Sequence, residues 1–142
     1  MAAEPTALDL DALRAAFDGV LAPWVRELGL VLVDIVPGEA TLEMPVSPGL
    51  VHAGGVLCGQ AMMAACDTAM IVAVMTRLGG FKPMTTVQLQ TSFLRPVAAD
   101  AGRVKLFARV LRMGKNLVFG EVQLFDAKGQ LAAHATTTYA LL

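Results

Sequence analysis

The sequence is poor in charge and in cysteine, and each shortage narrows what the chain can be. Only 16% of its 142 residues are charged and the formal net charge is −1, so no basic surface is available for nucleic acid. The two cysteines, Cys58 and Cys66, lie eight positions apart, which suggests neither a metal site nor a disulfide framework. Free thiols fit a reducing compartment. We therefore expect a cytoplasmic protein that needs no metal or cofactor.

Segments typical of a secretory signal or a membrane span are also lacking. The chain starts MAAEPTALDLDALR, which is acidic and has no basic region followed by an apolar stretch. The most apolar run, residues 61–74, contains Asp67 and is shorter than the roughly 20 residues that cross a bilayer. We expect a soluble chain with no membrane partner.

Apolar side chains are what the sequence has in excess. They make up 56% of the chain, which is more than in an average soluble domain. The length suits one domain with one core, which we assign to residues 1–142. Because one small domain cannot easily hide this much apolar surface, we expect copies of the chain to associate as a homodimer and then as a dimer of dimers.

Hydrophobic spacing predicts an α+β domain. Apolar residues recur every three or four positions over 8–28, and Pro23 divides this N-terminal segment (1–28) into two short helices. A long, nearly uncharged helix is predicted over residues 59–78, where a Gly-Gly pair follows it. The predicted strands cover residues 30–36, 39–45, 85–94, 102–111, 117–126 and 131–141.

This order of elements has a simple physical solution. An antiparallel sheet wraps around one central helix, which is then buried on most sides. Such an arrangement is the hotdog fold, here with an N-terminal helical segment packed on it. The pattern therefore predicts a single hotdog domain.

One acidic residue stands out in the long helix. Between residues 61 and 78 only Asp67 and Arg77 are charged, so we expect Asp67 to be largely desolvated. An unpaired carboxylate there would cost several kcal/mol. Asp67 therefore either takes part in chemistry or accepts structural hydrogen bonds.

A glycine-rich segment, residues 51–60, leads into that helix. A helix N-terminus offers free N–H groups and a positive dipole end, which suit a carbonyl or an oxyanion, and Gly59 would let a substrate come close; an ordinary loop is the alternative. Gly59 and Asp67 are eight residues apart, or about 12 Å along a helix axis, which is too far for both to act on one carbonyl. If both are catalytic, Gly59 of one subunit must face Asp67 of another.

From about residue 30 onward the chain resembles the hotdog acyl-coenzyme A thioesterases, especially the phenylacetate-pathway type. The segment CGQAMMAACD is similar to that family's His-Gly-Gly…Asp segment, with Gly59 at the glycine position and Asp67 at the position of the catalytic acid. The segment TTVQLQTSFLRP is similar to the strand after the helix, where Thr86, or else Thr85, takes the hydroxyl position beside the acid.

Three positions of the loop depart from the family pattern. His52 stands where the family often has Asn or Gln, Cys58 stands where it has His, and Gln60 stands where it has a second glycine. A histidine at position 52 could still orient the water or the thioester. The path of the loop and the role of His52 are therefore open at this point.

The resemblance implies hydrolysis of an acyl-CoA thioester. Gly59 would polarise the thioester oxygen, while Asp67 of the partner subunit would act as a general base on water or as a nucleophile that forms an anhydride. Thr86 would hydrogen-bond Asp67 or the water, and His52 completes the catalytic set. The candidates for substrate binding, whose basic members would hold the CoA phosphates, are Gln60, Thr85, Arg95, Arg112, Lys115 and Asn116.

Two other functions remain open. A hotdog dehydratase or isomerase could pair His52 with Asp67, although the proline-rich loop usual between them and an Asp-x-x-x-x-His segment are lacking. A non-catalytic acyl-CoA-binding module would need Asp67 to be structural. We expect no function for His134, taken as a surface histidine of the last strand, or for Trp24, taken as packing for the N-terminal helix.

Overall fold

The N-terminal helical segment folds as two short helices. The computed structural model describes residues 9–142, so residues 1–8, which include the start of that segment and most of the acidic stretch considered above, lie outside the described residues. Helix α1 (Leu10–Val20) begins at Asp9, whose side chain accepts a hydrogen bond of 3.2 Å from the Asp11 N–H. Helix α2 (Pro23–Arg26) starts at the proline, as predicted, because a first-turn residue needs no N–H donor.

The strands lie close to their predicted positions. Five of the six end within one residue of the prediction at both ends, and the fourth runs two residues further than expected. Its extension places Arg112 inside the strand and not in the turn after it, which corrects the prediction. The elements that follow α2 are β1 (Val31–Val36), β2 (Glu39–Pro45), a 3₁₀ turn (Pro48–Leu50), α3 (Gly59–Leu78), β3 (Met84–Phe93), β4 (Arg103–Met113), β5 (Leu117–Phe125) and β6 (Leu131–Leu141).

All six strands form one antiparallel sheet that wraps around α3, and this confirms the predicted hotdog fold. The strand order is β1-β2-β4-β5-β6-β3, so the strand that follows α3 lies at the far edge of the sheet from β1. Alternate side chains of the inner strands point at the helix and are fully buried there. Examples are Leu42, Leu106, Val122 and Ala135.

Helix α3 is the core of the domain. It begins at Cys58, whose Sγ accepts the Ala61 N–H at 3.4 Å, and it ends at Gly79, whose φ of 77° is the left-handed conformation that glycine adopts without strain. By length and composition α3 resembles a membrane span, because its most apolar 18 residues have a mean hydropathy of 1.5. However, 67% of that 18-residue stretch is buried inside the domain. It is therefore a core helix of this fold.

One face of α3 is not covered by the sheet. Gln60 is exposed there, and Met63, Ala64, Asp67 and Ile71 are half-buried at spacings of three and four residues. The expectation that Asp67 is largely desolvated holds only in part, because the side chain is half-buried and lies on the open face of the helix.

The two edges of the sheet differ in how they are finished. At the β1 edge, the Arg14 side chain of α1 donates two hydrogen bonds, of 3.1 and 2.9 Å, to the Leu32 carbonyl oxygen. The Ile35 N–H at the same edge is bonded to its neighbour Asp34 at 2.9 Å, next to an irregularity in the β1–β2 pairing. At the other edge, β3 is almost entirely exposed and carries no charged residue. Among residues 9–142, β3 is therefore the sheet edge that is both free and uncharged.

Helix α3 and the sheet are in tight contact at Gly120 of β5. A Cβ atom at this position would overlap the side chain of Met70 and would lie 2.9 Å from the Arg109 carbonyl oxygen. Met70 is itself fully buried, so it has little room to move. The absence of a side chain at Gly120 lets α3 approach the sheet.

We expect Gly120→Ala to lower the free energy of unfolding by ~1–3 kcal/mol, because the added methyl overfills this contact. Denaturant unfolding at one fixed protein concentration measures the change. Gly49→Ala is the matched control, since nothing lies within 4 Å of a Cβ at Gly49. Equal free energies for the two variants would contradict the tight contact.

Candidate functional site

The Asp67 carboxylate is held by two hydroxyl groups from the sheet. Thr86 Oγ1 donates to Asp67 Oδ1 at 2.9 Å, and the Tyr139 hydroxyl makes a short hydrogen bond to the same oxygen. The Tyr139 hydroxyl also lies 2.7 Å from the Asp67 carbonyl oxygen. Thr86 and Tyr139 are directly opposite each other on β3 and β6, so their side chains share the face of the sheet that meets α3.

Sequence reasoning found Asp67 and Thr86 but missed Tyr139. The structure also decides between the two threonines, since Thr85 lies opposite Ala140 and points to the outer face, away from Asp67. Tyr139 is the only tyrosine of the chain and occupies an inward position of the alternating last strand. That position was the available signal, but nothing in the sequence says which helix residue it meets.

Burial keeps the two neighbours of Asp67 protonated. Desolvation raises the pKa of Tyr139 well above its ordinary value, and the negative charge of Asp67 raises it further. The Cys66 thiol next to it is raised to a pKa of about 12, first by burial and then by the same charge. Tyr139 therefore remains a hydrogen-bond donor at neutral pH, and Cys66 is an unreactive thiol.

A second group of predicted residues meets in a cleft at the N-terminus of α3. His52, Gly59 and Arg95 line this cleft of about 350 Å³, together with Met62 and Phe93. A Cβ atom at Gly59 would lie 3.3 Å from the Phe93 ring, so any larger residue would press on the wall of the cleft. The cleft thus places a histidine, a basic residue and a glycine around the start of the helix.

Two backbone donors remain free at this helix start. In the first turn, Cys58 satisfies the N–H groups of Ala61 and Met62 through its Sγ and its carbonyl oxygen. Within residues 9–142 the structure records no acceptor for the N–H groups of Gly59 and Gln60. Cys58 in place of the family histidine therefore serves as the N-cap, and the free N–H groups can bind an oxygen of a ligand.

His52 is oriented by its own loop. The Nδ1 atom of its ring accepts the Gly54 N–H at 2.8 Å, and its backbone N–H donates to the Val56 carbonyl oxygen at 3.1 Å. When Nδ1 accepts a hydrogen bond, the neutral ring carries its proton on Nε2. His52 is thus a hydrogen-bond donor at Nε2, which is also what an asparagine or glutamine side chain could provide.

The two groups lie at opposite ends of β3 within one chain. Asp67 meets Thr86 near the beginning of the strand, whereas Gly59 packs under Phe93 at its end. The structure therefore does not bring Asp67 and Gly59 into one site of a single chain. This agrees with the separation that their spacing along the helix predicted.

The substrate-binding candidates are also divided. Lys115 and Asn116 lie in the β4–β5 turn, and the Asn116 carbonyl oxygen accepts the Leu141 N–H at 2.8 Å. Because Leu141 lies two residues after Tyr139, this turn and the nearby Arg112 lie at the Asp67 end of the sheet. Arg95 lies at the Gly59 end. Gln60 instead lines a separate cleft of about 370 Å³ beside α2.

Two residues to which we assigned no function have contacts or exposure that the sequence did not indicate. His134 Nε2 lies 3.2 Å from Glu121, which also pairs with Arg109, so His134 belongs to a polar cluster on the outer face of the sheet. The hydrogen bond from His134, followed by that from Arg109, lowers the pKa of Glu121. Trp24 is 61% exposed, so it does not pack the N-terminal helix as expected.

Comparison with known proteins gives one consistent result. An archaeal protein from Thermoplasma acidophilum, provisionally named an esterase, is 31% identical over 124 residues, which cover 87% of this chain and 89% of its own. Thioesterase superfamily member 2 from zebrafish superposes with a TM-score of 0.83 and 25% identity, over 95% of this chain and 99% of that chain. A variant of the phenylacetic acid degradation protein PaaI from Thermus thermophilus superposes with a TM-score of 0.75 and 26% identity, over 85% of this chain and 100% of that chain.

A family model supports the same assignment. It describes the thioesterase superfamily and matches residues 54–133, which is more than half of the chain. The matched segment contains Gly59, Asp67 and Thr86, and the fourth residue of the expected catalytic set, His52, lies two positions before it. The chain belongs to the thioesterase superfamily.

Proposed function

We propose that this chain hydrolyses the thioester of a small or medium acyl- or aryl-coenzyme A, at an active site shared by two copies. The observation that carries the proposal is the Asp67 carboxylate on the open face of α3. Its Oδ1 is held by two hydroxyls, while Oδ2 accepts no hydrogen bond from residues 9–142. A carboxylate that is fixed at one oxygen and free at the other can act on water or on a carbonyl carbon.

The hydrolysis can follow either of two balanced routes. As a general base, Asp67 takes a proton from water, the hydroxide adds to the thioester carbon, and the C–S bond breaks as the thiolate of coenzyme A recovers the proton. As a nucleophile, Asp67 displaces the thiolate to give an anhydride, which water then hydrolyses. In both routes the free N–H of Gly59 and His52 Nε2–H stabilise the negative charge that develops on the carbonyl oxygen.

Two unfinished surfaces support association with a second copy. The open face of α3 presents Met63, Ala64 and Ile71 around Asp67, and these apolar side chains need a cover. Beside it, β3 has free backbone groups along its outer edge, and Val87 and Phe93 are 59% and 48% exposed. An antiparallel pair of β3 strands would satisfy the edge and bring the two open helix faces together.

A two-fold axis at Gln90 would complete the site. The β3–β6 pairing skips Val87, so Thr86, Leu89 and Thr91 share the inner face with Phe93. With Gln90 opposite itself, the inner-facing Leu89 of one strand meets the inner-facing Thr91 of the next, and Phe93 lies opposite Val87, next to Thr86. Gly59 of each copy is then brought to the Asp67 end of the other.

The same pairing would gather the candidate phosphate ligands. Arg95 from the Gly59 end of one copy would approach the β4–β5 turn at the Asp67 end of the other. The basic residues at that end are Arg112 and Lys115, and both are exposed. Phosphates of coenzyme A would bind at the rim that these residues form, with Asn116 beside them.

Asp67→Asn should lower the rate of acyl-CoA hydrolysis at least ~10²-fold, because it keeps the shape of the side chain and loses its basicity. Release of free coenzyme A thiol from a panel of acyl-CoAs measures the rate, after subtraction of the reaction of Cys58. Asp67→Ala should be as inactive, and Asp18→Asn on the exposed side of α1 is the control. Acyl-CoA binding or enoyl formation by the wild-type protein without thiol release would contradict a thioesterase.

Subunit complementation tests the shared site. Asp67→Ala and Gly59→Val are each expected to be inactive, the latter because its side chain presses on Phe93 and blocks the helix start. When the two are unfolded together and refolded, about half of the dimers are mixed, and each mixed dimer has one intact site, so roughly a quarter of wild-type activity should return. Continued inactivity, with mixed dimers verified by mass, would exclude a shared site.

The β3 register is tested by disulfide trapping in a Cys58→Ser, Cys66→Ala background. Gln90→Cys should cross-link with its own copy, because side chains directly opposite in antiparallel strands are about 4.5–5.5 Å apart at Cβ, within reach of a disulfide after small shifts. Ser92→Cys alone should not cross-link, whereas Ser92→Cys mixed with Gln88→Cys should. Efficient self-linking of Ser92→Cys would place the axis elsewhere on the strand.

A further inference from the structure

We propose that Tyr139 is a positioning residue for the reaction: its hydroxyl, with that of Thr86, locks one oxygen of the Asp67 carboxylate and so presents the other to the substrate. This inference rests on the proposed function and adds to it a residue outside the matched family segment, which ends at residue 133. A carboxylate on an open helix face must be held in one orientation if it is to react in one geometry.

The geometry sets Tyr139 apart from an ordinary core residue. Tyr139 is 1% exposed, yet its hydroxyl reaches Asp67, which lies 72 residues away in the sequence. The phenol therefore crosses the core from β6 and ends at the only carboxylate of α3. A phenylalanine would fill the same space, so the hydroxyl itself calls for an explanation.

Two donors on one oxygen restrict the rotation of the carboxylate. The terminal torsion of an aspartate is broad and roughly two-fold, so a single hydrogen bond leaves the group free to rock. Thr86 reaches Oδ1 from β3 while Tyr139 reaches it from β6, which holds that oxygen from two strands. The position of Oδ2 follows from this restraint, and catalysis depends on such placement to within about 1 Å.

The donors are also suited to keep the carboxylate reactive. Both are neutral hydroxyls, and within residues 9–142 no Lys or Arg pairs with Asp67. The titratable neighbour besides Tyr139 is the Cys66 thiol, which burial keeps protonated. Asp67 is therefore held in place without a cation that would compete for its free oxygen.

Tyr139→Phe tests the proposal through the split between kcat and KM. We expect kcat to fall ~10–100-fold with KM within about twofold, because binding groups are untouched while the reacting oxygen loses its restraint. The matched control is Thr137→Val on the same strand, which removes a hydrogen bond of 3.0 Å to the Gln88 carbonyl oxygen and does not touch Asp67. Its kcat should stay within about twofold of wild type.

A second readout does not depend on activity. Because Tyr139 is the only tyrosine, the tyrosinate absorbance of the folded protein reports on it alone. Asp67 helps to raise the pKa of Tyr139, so Asp67→Asn should make tyrosinate appear at a lower pH than in wild type, while circular dichroism shows both proteins still folded. The same pH onset in both would show that the phenol and the carboxylate are not in contact.

The outcomes separate the inference from the proposed function. An inactive wild-type protein contradicts the thioesterase proposal, whereas an active wild type with an equally active Tyr139→Phe overturns the role of Tyr139. Equal losses of kcat in Tyr139→Phe and Thr137→Val would also overturn it, because they would reduce the effect to a general weakening of β6. Loss of kcat in Tyr139→Phe alone, together with the shifted tyrosinate onset, supports it.

Discussion

A helix of twenty nearly uncharged residues has to be covered on every side, and one sheet covers only the sides around which it can bend. The wrapping of the six strands and the close contact at Gly120 follow from this requirement. The sheet reaches its limit at β3, and the strip of α3 beyond it contains Asp67. The place where the core is left incomplete is therefore also the place where the chemistry is possible.

The Asp67 carboxylate has mainly apolar neighbours, and two hydroxyl groups stabilise it there. Ion pairing would satisfy Asp67 more strongly but would also occupy it, and burial of an unpaired charge would be costly. Instead, the neutral hydroxyls of Thr86 and Tyr139 donate hydrogen bonds to one carboxylate oxygen of Asp67. Elsewhere the chain does pair its charges, as at Glu121 with Arg109 on the outer face, so the choice of partners at Asp67 is local.

Local patterns predicted most of the fold and part of the site. The bounds of α3 follow from its apolar run and its terminal glycines, and the helix rise alone separates Gly59 from Asp67. Tyr139 could not be found this way, because it lies 72 residues from Asp67 in the sequence and meets it only through the register of β6 in the sheet. The partner of His134 lies on another strand for the same reason, and the exposure of Trp24 depends on how a four-residue helix docks.

The unequal edges of the sheet bear on how far association can proceed. Arg14 and Asp34 occupy backbone groups of β1 that an incoming strand would need, whereas β3 leaves its own free. A second copy joined through β3 would present only β1 at both outer ends, and neither end could accept a third. Growth by strand addition would then stop after one step, so a bare edge that could otherwise invite filaments would give a closed, finite particle.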